Sequence, residues 1–385
     1  MTGPLSDVLV VDLSRALAGP HAAMMLGDLG ARVIKVESPD GGDDTRSWGP
    51  PFMPGSDGDA HSTYFLSCNR NKESIALDLK SDDGRDTLAA LIARADVLIE
   101  NFRPQVLDRL GFSVARLHAL NPGLVVLSIS GFGHDGPEGA RAGYDQIAQG
   151  EAGLMSLTGP SAEEPTRVGV PIADLLAGIY GAYGVLAALH QRASTGLGQV
   201  VRTSLLAAVV GVHGFQGTRY TVAGEVPRPT GGHHPSICPY GLFHAADGLV
   251  QIAVGSDGLW RRFAPVFGLS RPQWTTNPQR VADRGAVNSA IDSAFAGYRA
   301  ADLLGRLDEI GVPAGRVRDL AEVYQWDQTR SQGLLIDVEH AALGRITLPG
   351  SPLRFDEMPE RAHRAPPTLD QHGPPIRAWL ARERD

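Results

Sequence analysis

Val8-Leu9-Val10-Val11-Asp12-Leu13 is an almost unbroken apolar run of strand length, with no polar alternation to mark a solvent face. Pro20 to Leu29 then carries apolar residues at helical spacing, with proline near its start and Gly30 just past its end. Arg32 to Glu37 (RVIKVE) is a second strand. Strand, helix and strand in so short a stretch make a βαβ unit, which requires parallel strands. The pattern repeats. Glu73 to Leu79 reads as a strand, Asp82 to Ala95 as a helix opened by acidic residues, and Asp96 to Glu100 as a strand. Val106 to Leu110 and Val114 to Leu120 predict short helices, and Leu124 to Ser130 (LVVLSIS) a buried strand. Such repetition predicts an α/β fold: a large Rossmann-like open parallel sheet with helices on its faces. Its functional residues belong in loops beyond the carboxyl ends of the strands.

Asp174 to His190 (DLLAGIYGAYGVLAALH) is apolar and rich in Ala and Gly, which predicts a closely packed helix, and Ser204 to Thr218 predicts a second long helix. Ala223 to Pro239 (AGEVPRPTGGHHPSICP) breaks all periodicity and reads as a linker and a mobile loop. Leu249 to Val254 opens a smaller α/β segment with helices to about Leu307. The Pro-rich stretch Pro349 to Pro367 predicts extended chain, and a terminal helix follows. These segments by themselves give two α/β domains, a larger one and a smaller one.

At 385 residues the chain exceeds one ordinary core, in keeping with two domains. Its 43% hydrophobic and 20% charged content excludes a disordered, collagen-like or coiled-coil chain. Its net charge of -8 lacks the basic footprint of a nucleic-acid binder. Cys68 and Cys238 make neither a disulfide framework nor a CxxC zinc site, and they suit a reducing cytoplasm. The N-terminus lacks a secretory pattern, and the apolar stretches near 176–190 and 203–214 are interrupted, so no membrane span is expected.

The turn after the first strand reads SRALAGPHAAMM, without a GxGxxG dinucleotide fingerprint, and no GxxxxGK[ST], HExxH or GxSxG occurs. A set of linked phrases occurs instead. They are LSRALAGPHAAMMLGDLGARVIKVESPDGGDDTRSWGP (13–50), NRNKESIALDLKS (69–81) and DVLIENFRPQVLDRLG (96–111). ISGFGHDGPEGARAGYDQIAQGEAGLMSLTG (129–159) and VGVPIADLLAGIYGAYGVLAAL (168–189) follow. In this order and spacing they resemble the family III CoA-transferases (the CaiB/BaiF group), which include formyl-CoA transferase, carnitine CoA-transferase and the α-methylacyl-CoA racemases. The resemblance runs to about residue 215 and continues more weakly through GGHHPSICPYGLFHAADG (231–248).

The resemblance implies that Asp174, in the IAD phrase, is a nucleophile that forms an acyl anhydride and then an aspartyl-CoA thioester. Read without the family, Asp174 is simply an acidic cap of the helix that follows. The racemase branch carries His-Asp where this chain reads Tyr144-Asp145. Racemisation wants a base that titrates near neutrality, whereas tyrosine titrates near pH ~10, so Tyr144 points to transfer. Otherwise Tyr144 is a packed aromatic with a hydrogen-bonded hydroxyl, and His134 a loop residue.

By the same resemblance Ala16, Leu17 and Ala18 line the thioester end and Trp48 walls the acyl pocket; Trp48 is otherwise a core aromatic. Asn101, Phe102, Val106 and Arg109 contact nucleotide and pantetheine, with Lys72 and Arg141 as further phosphate partners. Each arginine is otherwise a solvated surface charge, and Arg103 a structural one. Leu17 stands where oxalate-using members have Gln, which speaks against formyl or oxalyl chemistry, and Ser38 stands where some have Arg. Gly231, Gly232, His233 and His234 match a glycine-rich flap whose histidines meet the acceptor acid; the alternative is an interdomain turn with exposed histidines. No metal is implied, since the His pair has no third ligand, and no cofactor is permanently bound: CoA and acyl-CoA are substrates. The resemblance also implies the division of the chain: a large CoA-binding α/β domain over 1–215 completed by 330–385, a linker and glycine-rich flap over 216–235, and a small α/β domain over 236–329. An interlocked-ring homodimer is implied as the assembly, with no nucleic-acid or membrane partner. The leading reading is CoA transfer from a short or dicarboxylic acyl-CoA, such as succinyl-CoA, to a free carboxylic acid or between two carboxyls of one diacid. An α-methylacyl-CoA epimerase and a non-catalytic acyl-CoA-binding protein are the alternatives.

Overall fold

A computed structural model describes residues 3–139, 141–357 and 362–382. Two compact units are present: residues 1–154, 168–224 and 327–385 form the first, and residues 155–167 with 225–326 the second. The segment 155–167 thus joins the second unit, although it lies within the stretch expected for the large domain.

The first unit is built on six strands: β1 (Leu9–Asp12), β2 (Arg32–Glu37), β3 (Lys72–Ala76), β4 (Val97–Glu100), β5 (Val125–Ser130) and β6 (Val200–Ser204). They lie in the order β3-β2-β1-β4-β5-β6, and every neighbouring pair is parallel. The order reverses beside β1, so the loops after β1 and β4 part above the sheet and leave a crevice at its carboxyl edge. Successive side chains serve opposite faces. Val8, Val10, Val33, Ile99 and Leu127 enter one core, and Leu9, Val11, Ile34, Leu98 and Val126 the other. Burial on both faces is why the central strands read as continuous apolar runs.

On the first face lie α1 (Ala18–Asp28), α2 (Asp145–Glu151) and α3 (Ile172–Thr195). Their contact is made of small residues, including Ala22, Ala173, Ala177, Ala182 and Ala188. A Cβ on Gly178 would sit 2.7 Å from the Ala18 carbonyl oxygen, and one on Gly181 2.8 Å from Leu127. By length and composition α3 could cross a membrane. Here it lays one side, including Ala177, Gly181, Ala182 and Val185, into this core and leaves Ile179, Tyr180 and Tyr183 exposed. The opposite face is covered by the helix Asp82–Ile92 and the terminal helix Gly373–Arg382, whose Ile376 and Leu380 are buried. The chain end is pinned there: His372 N–H donates to Ser74 O at 2.9 Å and Ala76 N–H to Asp370 Oδ1 at 2.8 Å.

The expected long helix over 204–218 is instead three elements. β6 ends at Ser204, whose hydroxyl caps the helix Leu205–Gly211, and a new helix, Gly214–Ala223, follows. The break falls at Val212–His213, where Gly214 takes φ +53° and His213 Nε2 lies 2.8 Å from Ala152 O. The strand expected over 73–79 runs Lys72–Ala76, because 77–81 turns back toward the Ser81 cap. Two hairpins were not foreseen, Phe52–Pro54 with Ala60–Ser62 and Leu335–His340 with Gly344–Pro349. Of the Pro-rich stretch, 358–361 lie outside the described residues.

The second unit has a three-stranded antiparallel sheet, Tyr240–Ala245, Gly248–Ala253 and Ala314–Arg316, beneath the helices Asp257–Val266, Arg284–Phe295 and Ala300–Glu309. Its core is aromatic, with Phe243, Trp260, Phe263, Trp274 and Phe295.

Candidate active site

Asp174 is the third residue of α3. The N-cap residue, Pro171, makes no side-chain cap, and the helix borrows one from α2. Asp145 Oδ1 accepts from Ala173 N–H at 2.8 Å and from Asp174 N–H at 3.4 Å. Gln149 holds Asp145 in place, donating to its Oδ2 at 2.7 Å while its own Oε1 accepts from Val168 N–H at 2.9 Å. The helix is therefore capped by Asp145 and not by Asp174, and the Asp174 carboxylate has no hydrogen bond among the described residues. Burial, and then the charge of Asp145, push Asp174 up to about 7. The positive end of the helix opposes this and is outweighed.

The position one turn on fixes where Asp174 stands. Gly178 backs onto the Ala18 carbonyl. Residues i and i+4 share a helix face, so Asp174 overhangs the turn that links β1 to α1. Tyr64 lies close enough that the Asp174 carboxylate, after burial, helps drive its phenol above the ordinary tyrosine range. Trp48 meets the Tyr64 ring edge-on, with centroids 5.2 Å apart, and is only partly buried. It packs beside Tyr64 and is not a fully buried core aromatic.

The turn itself is held at each step. Lys35 Nζ donates to Ser14 O at 2.9 Å. Asn101 clamps Arg15, accepting from its N–H at 2.8 Å and donating to its carbonyl at 2.7 Å. Ala16 N–H donates to Asp43 Oδ1 at 3.2 Å, and Ala16 is left-handed at φ +66°. Leu17 and Ala18 are buried and begin α1 without a side-chain cap. Beside the turn a cleft of about 240 Å³ opens over the carboxyl ends of β1, β2 and β3, lined by Arg15, Ser38, Leu77, Lys80, Phe102 and Leu110, among others. Lys80 and Arg15 bring exposed cations to it.

Several expected contacts need revision. Lys72 is a core cation and no phosphate partner: its ammonium is buried and donates to Asp12 Oδ2 at 2.9 Å, Pro20 O at 2.8 Å and Asn69 Oδ1 at 2.9 Å, which uses all three protons. Asn101 spends its amide on Arg15 and shapes the turn. Arg141 pairs with Glu151 at 2.5 Å and lies over the Phe132 ring. Arg109 and Arg103 are exposed, and Val106 is partly buried. Tyr144 is 69% exposed, the N-cap of α2 rather than a packed aromatic. His134 is a loop residue tied to β5, its Nε2 lying 2.7 Å from Ser128 Oγ. Tyr64, Asp145, Gln149, Asp43 and Lys80 escaped sequence reasoning. Asp145 was in view beside Tyr144, but its cap reaches 28 residues along the chain.

In the second unit, Gly231 takes φ +59° and donates to Gly159 O at 3.2 Å. Neither histidine is fully exposed. His233 meets the Phe243 ring edge-on and His234 stacks on Tyr240. Burial, and then Arg284, hold both below the ordinary histidine range, which keeps them neutral at pH 7.

Residues 5–373 match the CoA-transferase family III. The chain is 39% identical to a succinate–glutarate CoA-transferase of Agrobacterium fabrum over 98% of its own length and 96% of the relative's. It is 38% identical to a succinyl-CoA:mesaconate CoA-transferase of Haloarcula hispanica, over 96% and 94%. The crystal structure of a CAIB/BAIF family protein from Brucella suis superposes with a TM-score of 0.88 at 39% identity, covering 99% of this chain and all of that one. An open parallel sheet, an aspartate over its switch-point crevice and a match across almost the entire chain lead to one conclusion: the chain belongs to CoA-transferase family III, and it is a CoA-transferase.

Proposed function

We propose that the protein moves CoA from succinyl-CoA or another dicarboxylyl-CoA to a second carboxylic acid, with Asp174 as the nucleophile. The uncapped carboxylate of Asp174 carries this reading. An Asp174 oxygen attacks the thioester carbonyl, the C–S bond breaks, and CoA leaves as thiolate from a mixed anhydride. The thiolate attacks the Asp174 acyl carbon, frees the donor acid and leaves an Asp174–CoA thioester. The acceptor carboxylate attacks that thioester and releases thiolate, which then attacks the acceptor's acyl carbon. Asp174 returns as carboxylate, and no proton is gained or lost.

The site supports each role. Asp145 takes over the capping that would otherwise occupy Asp174. Trp48 and Tyr64 form an aromatic wall beside it, and the cleft with Arg15 and Lys80 suits the phosphates of CoA. The dicarboxylate preference leans on the relatives' substrates. Tyr144 in place of a histidine weighs against epimerisation. We further propose that the protein works as a homodimer, the exposed apolar side of α3 being covered by a second copy.

The test is incubation with succinyl-CoA, quenching with hydroxylamine, and peptide mass spectrometry. A hydroxamate on the Asp174 peptide supports the reading. An unmodified peptide together with deuterium uptake at the α-carbon of a methylacyl-CoA favours the epimerase. CoA binding without either overturns catalysis at this residue.

A further inference from the structure

We infer that Asp43 is a positioning residue for the chemistry at Asp174: it holds Ala16 in its left-handed conformation and so sets the turn beneath the reacting carboxylate. The inference rests on Asp174 as nucleophile.

A residue with a Cβ seldom takes φ +66° unless its surroundings impose it. The neighbours of Ala16 are tied elsewhere, Ser14 to Lys35 and Arg15 to Asn101. The N–H of Ala16 itself is held by Asp43 Oδ1. Asp43 is nearly completely buried and is fixed from three directions. Its Oδ1 also accepts from Thr45 N–H at 3.0 Å and Thr45 Oγ1 at 2.8 Å, and its Oδ2 lies 2.8 Å from Lys35 Nζ. Burial works against its charge, but the adjacent Lys35 ammonium keeps the carboxylate below its ordinary range.

The turn has no slack beyond Ala16. A Cβ on Gly19 would lie 2.2 Å from Ser14 Cβ, so the start of α1 is pressed against the end of β1. Rotation at Ala16 must displace Leu17 and Ala18, and the Ala18 carbonyl is the group packed on Gly178, one turn from Asp174. Lys35 and Asp43 thus bring a buried charge pair to the backbone N–H of Ala16, whose carbonyl lies 3.8 Å from the Cys68 thiol.

The experiment measures the rate of Asp174 hydroxamate formation at saturating succinyl-CoA in the wild type, Asp43→Ala, and Asp43→Ala with Ala16→Gly. Alanine is used because asparagine would keep an amide oxygen able to accept from Ala16 N–H. Asp43→Ala is expected to label about tenfold more slowly or worse. Glycine takes the left-handed region freely, so Ala16→Gly is expected to recover most of that rate but only a small part of the lost Tm, because the Lys35 ammonium stays without the Asp43 carboxylate. A purely structural Asp43 ties the two together, so rate and Tm would recover in the same proportion. Wild-type labelling by Asp43→Ala, or a folded double variant no faster than the single one, overturns the proposal while leaving the nucleophile intact. Absence of label in the wild type overturns both. Should Asp43→Ala not fold, Ala16→Val decides: valine resists the left-handed region, and labelling at the wild-type rate overturns the proposal.

Discussion

A carboxylate in the first turn of a helix is ordinarily held ionised, by capping or by the helix dipole. Asp174 departs from this because Asp145 has taken the cap and lends its own charge nearby. Protonated Asp174 is no nucleophile, so labelling by succinyl-CoA should rise through about pH 7 as the group ionises. Asp145→Asn removes the second cause of the shift and leaves burial, so the midpoint should move partway to lower pH; an unmoved midpoint rejects the coupling. Stability runs the other way. Asp174 is raised in the folded state above the value of 3.8 that it has when free, so the folded chain binds more protons across that interval. This term is lost as pH rises from about 4 to about 7. Asp174→Asn should therefore raise Tm by a few degrees at pH 8 and by less at pH 5, while transfer falls about 10³-fold or more. The nucleophile was legible from a short phrase. Its environment was not, because the cap and the Tyr64 contact join residues that only the fold brings together. Lys72 failed as a phosphate partner for the same reason: what buries it is Asp12, 60 residues away.

Elements buried on both faces were the legible ones. β1, β2, β4 and β5 announce themselves because most positions are apolar or paired inside, whereas β6 (VVRTS) at the sheet edge is half-exposed and drew no strand expectation. The helix contact of α1 and α3 was readable as Ala- and Gly-rich, but which glycine mattered was not. Gly178 is the close approach, since an added Cβ meets a backbone oxygen that cannot rotate away. Gly178→Ala should cost about 1–3 kcal/mol by overpacking and slow labelling, because it pushes α3 off the turn below Asp174. Gly305, inside the helix Ala300–Glu309, has nothing within 4 Å of an added Cβ. Gly305→Ala should instead raise stability by about 0.5–1 kcal/mol and leave labelling unchanged. Denaturant titration of both variants checks the contrast, and equal effects would remove the special standing of the α1–α3 contact.

At the scale of the molecule, α3 poses the remaining question. It is apolar along its length, yet only one side is buried in the chain, and Tyr183 on the other side is 71% exposed. Val210, Phe215 and Tyr220 are exposed on the two helices that follow. Large apolar side chains exposed in this number on a lone chain invite association, and a two-fold partner presenting the same surface covers them in a single step. Light scattering should therefore give about twice the 40.9 kDa chain mass for the native protein. Tyr183→Glu separates the dimer from a monomer that merely tolerates these exposed side chains. On a monomer, the added charge replaces exposed apolar surface and leaves Tm unchanged or higher. In a dimer it buries an unpaired carboxylate at the interface, which should lower Tm and shift the mass toward 40.9 kDa. The sign of the Tm change thus decides what covers α3, independently of any assay for CoA transfer.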